Sequence, residues 1–194
     1  MAKKILAALS DSTVFLREWI ANPQRTGAVA PSSPQLGAAM ARWLPRNPDS
    51  YVLELGPGTG AVTDALLKYG LHEDRLVAIE HNPNLAKLLH KRFPKAQIIH
   101  GDAWDLDQLL CDCPRPVEKV GAVISSLPLL NFPKEKADDL ARKIRGILEP
   151  RGRWVQYSYQ IIKDRSRGSD DFKLVASKIV WFNIPPARVS VFQK

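Results

Sequence analysis

The residues best equipped for chemistry lie in one glycine-rich run and at two later acids. Glu54-Leu55-Gly56-Pro57-Gly58-Thr59-Gly60 sets glycines at alternate positions with an acid two residues before the first; Glu80 follows Gly56 by 24 residues, and Asp102 follows Gly101. Glycine lets a backbone turn sharply and approach a ligand where a side chain would collide. A carboxylate accepts hydrogens from paired ribose hydroxyls, from an exocyclic amine or from an ammonium. A dinucleotide loop instead reads G-x-G-x-x-G and offers its helix end to a pyrophosphate. Here the spacing is G-x-G-x-G, and Glu54 would repel that anion. The ligand described is a nucleoside bearing positive charge, which S-adenosylmethionine supplies through its ammonium and sulfonium.

Such a site requires strands that end together. β-rich runs at 51–55, 76–80, 97–100, 120–125 and 153–161 alternate with helix-like segments at 61–69, 82–93 and 134–148, the pattern of a parallel sheet with crossover helices. Asn82-Pro83 supplies a cap and a first-turn proline, while Gly70 and Pro150 are stop signals. Glu54, Glu80 and Asp102 then fall at three adjacent strand ends. Beyond a charged loop at 163–171, two further runs at 177–182 and 188–192 suit an antiparallel pair at the sheet edge. The expected fold is a three-layer, Rossmann-like α/β domain with a seven-stranded, mostly parallel sheet and an antiparallel C-terminal strand. One domain over 1–194 is expected, with 1–48 as an N-terminal helical region. It holds an apolar stripe of Ile5, Leu6, Leu9, Leu16, Trp19 and Ile20, then a second helix from Ser33-Pro34 carrying Leu36, Met40, Trp43 and Leu44.

At 194 residues, 45% hydrophobic and 25% charged, the chain has the composition of a single globular domain, not of a disordered or collagen-like one. No run approaches the roughly 20 apolar residues that span a bilayer. The start of the chain is a poor signal peptide, so a cytoplasmic location is expected. Cys111 and Cys113 have no partner cluster for zinc; they read as reduced, nonfunctional thiols, and no metal is expected. The net charge of +8 is uneven: residues 51–140 hold 10 basic and 13 acidic side chains, residues 141–194 hold 12 and 4. A basic surface away from the cofactor site suits an anionic membrane or a nucleic acid.

The fourth strand runs into Ser125-Ser126-Leu127-Pro128-Leu129-Leu130-Asn131-Phe132. Methyltransferases that act on a base amine often carry there an Asn or Asp and an aromatic residue on which the base stacks; this chain has serine and leucine. These residues, with Asn22-Pro23, the segment Gly27 to Ser33, the glycine run, Gly101 to Leu106, Pro133, Gln156-Tyr157-Ser158-Tyr159 and Asn183-Ile184-Pro185-Pro186-Ala187, resemble the bacterial phospholipid N-methyltransferases. That soluble, membrane-associating group converts phosphatidylethanolamine to phosphatidylcholine, and the resemblance spans nearly the whole chain.

The resemblance implies S-adenosylmethionine as cofactor, a phospholipid amine as acceptor, and association with the inner face of the cytoplasmic membrane. Its anchor is an amphipathic helix over residues 3–21, with Phe15 and Trp19 at the interface; packing of that helix on the sheet is the alternative. Expected cofactor contacts are Ser32, Ser33, Glu54, Gly56, Gly58, Gly60, Glu80, Asp102 and Ala103. The serines and the following helix end offer donors to the methionine carboxylate, although Ser33 equally suits a plain helix cap. On the acceptor side stand Ser126, Tyr157 and Tyr159. The two tyrosines share one strand face and could hold a methylated ammonium by cation–π contact or serve the core. No nucleic-acid partner is expected; the competing reading is an RNA adenine dimethyltransferase.

Overall fold

The structure is a computed structural model that describes residues 32–159 and 172–194, and Ser32–Lys194 forms one compact unit. The helix expected over 3–21 and the loop expected over 163–171 lie outside the described residues.

Seven strands form one sheet in the order β3-β2-β1-β4-β5-β7-β6. β1 (Tyr51–Leu55), β2 (Leu76–Glu80) and β4 (Val120–Ser125) lie at its centre, and every residue of them except Tyr51 is buried. Helices cover a parallel sheet on both faces, so its inner strands read as unbroken apolar runs. β1 pairs in parallel with β2 and β4, β2 with β3 (Gln97–His100), and β4 with β5 (Leu148–Ser158). The chain then reverses: β7 (Ala187–Gln193) runs antiparallel to β5, and β6 (Lys173–Val180) runs antiparallel to β7 at the edge.

The helices are α1 (Pro34–Ala41), α2 (Ala61–Lys68), α3 (Pro83–Arg92), α4 (Leu106–Cys111) and α5 (Lys134–Ile147). α1 buries Leu36 and Met40 completely, whereas Trp43 and Leu44 fall beyond its end. Asn82 caps α3, its side chain accepting from the amides of Asn84 and Leu85. α5 buries Ala137, Leu140, Ala141 and Ile144, one face at helical spacing. Beneath it Trp154, fully buried, packs between Phe172 and Phe192 at ring distances of 5.5 and 5.2 Å. Truncating such a residue to Ala costs about 3–5 kcal/mol.

Two strands differ most from the sequence expectation. β5 begins at Leu148 rather than Arg153, because Pro150 and Gly152 sit in a bulge: Val120 pairs with Leu148 but Ala122 with Arg153, and Arg151 takes φ 66°. The sixth strand spans 173–180 rather than 177–182, so Trp181 and Phe182 belong to the turn that follows.

Candidate active site

The glycine run leaves β1 and enters α2. Gly56, Gly58 and Gly60 take φ values of 68°, 60° and 87°, in the left-handed region that side chains disfavour. Their surroundings differ. A Cβ on Gly56 would lie 3.0 Å from Leu127, and one on Gly60 would lie 2.9 Å from Phe93 and 3.0 Å from Arg92 and Leu89. Gly60 therefore serves close packing of the loop on α3. A Cβ on Gly58 would meet nothing within 4 Å, so this is the glycine that faces open space. Arg92, at the end of α3, pairs with Asp64 at 2.6 Å and donates to the Thr59 carbonyl, holding the loop from behind.

Glu54 is wholly buried. Its Oε2 accepts from the Thr63 hydroxyl on α2 at 2.7 Å, while Oε1 has no partner. Burial pushes its carboxyl up to about 8; the Thr63 hydrogen bond opposes this, and nearby Glu80 and Asp64 add to it. The unpartnered oxygen leaves hydrogen-bonding capacity beside the loop, and a cationic or donor-bearing ligand group would fit it by favouring the ionised carboxylate. Glu80 ends β2 and braces the loop: Oε2 accepts from the Gly58 amide at 2.9 Å and Oε1 from the Asn82 amide at 2.8 Å. A carboxylate has about four lone-pair sites, so capacity for two hydroxyl donors remains. Asp102 accepts from the Trp104 amide at 3.1 Å through Oδ1, starting the short helix 103–105 in which Ala103 is buried.

Backbone bonds draw these ends together: Gly56 N donates to Ile79 O at 2.9 Å, Gly101 N to Glu80 O at 3.1 Å, and Ser126 N to Leu55 O at 2.9 Å. The carboxyl ends of β1, β2, β3 and β4 thus form one rim carrying Glu54, Gly56, Gly58, Glu80, Asp102 and Ser126.

The neighbouring side of the rim is built on β5. Gln156 donates to Leu127 O at 2.9 Å and tethers the loop that holds half-buried Ser126. Tyr157 and Tyr159 meet edge to face at 5.5 Å. Burial first, then the Tyr159 hydroxyl beside it, pushes the Tyr157 phenol well above its usual range; a hydrogen bond with Ser32 opposes the shift. Tyr159 is also raised by burial. Its buried Oη makes no hydrogen bond of normal geometry, although Tyr157 and Asn183 stand near enough to favour its ionised form. Ser33 caps α1, its Oγ accepting from Leu36 N at 3.1 Å, and its own amide donates to Asn183 Oδ1 at 2.9 Å. Ser32 and Ser33 therefore join the tyrosine side of the rim.

Several residues that matter to this geometry have no role readable from spacing. Thr63 partners Glu54 from nine positions away, and Gln156 fixes the Ser126 loop. Asn183, 1% exposed, links the β6–β7 turn to Ser33. Trp104 packs against Phe132 in a tilted contact, ring centroids 4.5 Å apart, with Lys136 over its ring at 4.3 Å, joining the Asp102 corner to the loop after β4. Trp104, Gln156 and Asn183 lie within the segments that carry the family resemblance and have no other mark in the sequence. Among the described residues no cluster of His, Cys, Asp and Glu could hold a metal ion.

Residues 52–152 match the family described as a methyltransferase domain. The chain is 33% identical over 151 residues to ornithine lipid N-methyltransferase of Singulisphaera acidiphila, covering 76% of this chain and 78% of that protein. It is 43% identical over 61 residues to ribosomal RNA small subunit methyltransferase A of Synechococcus sp. strain JA-3-3Ab, a match spanning 30% of this chain and 21% of that protein. Among solved structures, TrmN of Thermus thermophilus superposes with a TM-score of 0.66 at 19% identity, over 83% of this chain and 48% of that one.

Proposed function

The chain belongs to the methyltransferase-domain family of S-adenosylmethionine-dependent enzymes, and from that premise we propose that it methylates the amine of a membrane-lipid head group. The ethanolamine phospholipid and its methylated derivatives, on the path to the choline lipid, are the first candidate acceptors. The observation that carries this reading is the extent of likeness to the ornithine lipid enzyme, which runs over 151 residues and so reaches well beyond the glycine loop. That relative's named acceptor is also a lipid. The RNA methyltransferase match covers 61 residues.

Glu54, Gly58, Glu80 and Asp102 would hold the cofactor, Glu80 toward the ribose and Asp102 toward the adenine. When bound, S-adenosylmethionine supplies a methyl group on a good leaving group, which leaves the protein chiefly to align and deprotonate the acceptor. Tyr157 and Tyr159 are kept as neutral phenols by burial. At neutral pH they do not act as bases; their part is to offer ring faces and hydroxyls to an amine or its methylated ammonium. Ser126, whose amide donates to Leu55 O and whose loop Gln156 tethers through Leu127 O, would bring its hydroxyl to the same rim.

Incubation with methyl-labelled cofactor and phosphatidylethanolamine vesicles, with ornithine lipid in a parallel arm, should transfer label to lipid. Cofactor binding without label in either lipid would overturn the reading.

A second reading, an RNA adenine dimethyltransferase, is favoured by the 43% identity over 61 residues and by the basic C-terminal part. It requires label in RNA and retention on RNA that falls steeply with salt. Label confined to lipid would dispose of it.

A further inference from the structure

The turn between β6 and β7 carries Trp181 at 64%, Phe182 at 81% and Ile184 at 88% exposure. Single exposed apolar residues are ordinary, and turns usually hold Gly, Asn, Asp or Ser. Three large apolar side chains within four positions are not ordinary, and we propose that this turn is a docking element that enters the surface of a lipid bilayer.

Its construction supports this. Asn183 sits in the middle of the turn and is buried, its Oδ1 accepting from Ser33 N at 2.9 Å and its Nδ2 donating to Pro185 O at 2.7 Å. The one polar side chain faces inward as an anchor, and its apolar neighbours face water. Val180 pairs with Ala187 across the turn, and Arg188 pairs with Ser158. The apolar tip therefore stands beyond the carboxyl end of β5, on the rim that carries Tyr157 and Tyr159.

Charge selects the occupant. Residues 172–194 contain no acid, and the bases nearest the turn are Lys178, exposed on β6, and Arg188, which pairs with Ile179 beside it. Tryptophan favours the head-group level of a membrane, phenylalanine and isoleucine the acyl boundary, and lysines the anionic head groups. A second copy of the chain fits less well, since three side chains of at most about 150–250 Å² each, none fully exposed, fall short of the roughly 800 Å² that each partner contributes to a stable protein interface. The inference rests on the lipid-acceptor reading for its purpose, because it would bring a head group to the tyrosine side of the rim.

The test is flotation of the full chain with phosphatidylglycerol–phosphatidylethanolamine vesicles. Phe182→Ser with Ile184→Ser should lower partitioning at least tenfold while leaving the melting temperature and S-adenosylhomocysteine affinity unchanged. Lys178→Glu, a second variant on the exposed strand, should weaken binding to these vesicles and not to neutral phosphatidylcholine vesicles. Equal flotation of the double variant and the native chain, or no flotation of the native chain, would overturn the proposal. So would self-association in sedimentation that the double variant abolishes, since the occupant would then be a second copy. Flotation that depends on residues 182 and 184 without methylation of vesicle lipid would leave the docking element standing and refute the acceptor reading. Methylation of lipid in micelles, with flotation indifferent to the variant, would do the reverse.

Discussion

Replacing Glu54 by Gln should stabilise the protein at pH 8 relative to pH 5, and by an amount the structure sets. Glu54 is fully buried, with one oxygen on the Thr63 hydroxyl and the other unpartnered, and its carboxyl is raised from 4.5 to about 8. A raised acid binds its proton more tightly in the folded state. Its contribution is most favourable below the unfolded value of 4.5, declines as pH rises, and is lost by the time pH passes 8. Each pH unit across this window costs up to about 1.4 kcal/mol, so the native protein should lose on the order of 3 kcal/mol through Glu54 between pH 5 and pH 8. Gln keeps an oxygen for Thr63 and does not titrate. The difference in unfolding free energy between the variant and the native chain should therefore shift toward the variant by about 3 kcal/mol over that range. Urea unfolding of both proteins at pH 5, 6, 7 and 8 measures it, and taking the difference cancels groups that titrate alike in both. A difference independent of pH would show that Glu54 is already ionised at pH 5 and would refute the account of its burial.

Gly58→Ala and Gly60→Ala should separate binding from packing. Both force alanine to positive φ, about 1–2 kcal/mol, but Gly60→Ala also drives a Cβ to 2.9 Å from Phe93 and should lower the melting temperature more, whereas Gly58→Ala should chiefly weaken S-adenosylhomocysteine binding by calorimetry. Asn183→Ala removes a buried group that accepts from Ser33 and donates to Pro185, and should cost about 1–3 kcal/mol in urea unfolding. Tyr157→Phe should leave the pH dependence of kcat unchanged between pH 6 and 9, because burial keeps that hydroxyl protonated throughout; loss of a basic limb in the profile would contradict this.

The interior of the sheet was legible because its physics is local. Strands 51–55, 76–80, 97–100 and 120–125 agree to the residue, since central parallel strands are apolar on both faces and bounded by turn signals. The edge was less so. β6 alternates poorly, with Lys173, Leu174 and Val175 all exposed, and its register comes from pairing with β7 rather than from its own pattern. The bulge at 149–152 was hidden because Pro150 reads as a helix stop. At the site, the glycine loop, Glu80 and Asp102 could be placed at strand ends by counting. The Glu54–Thr63 bond, the unlike surroundings of Gly58 and Gly60, and the inward aim of Asn183 depend on how α2, α3 and the β6–β7 turn pack, which no spacing encodes.

The most direct test of the lipid-acceptor reading is mass spectrometry of the lipids of cells that express the chain, set against cells that express its Glu80→Ala variant. Mono-, di- or trimethylated amino head groups present only with the native chain are the expected result. An unchanged lipid profile, together with new methyl groups on ribosomal RNA adenines, would contradict it.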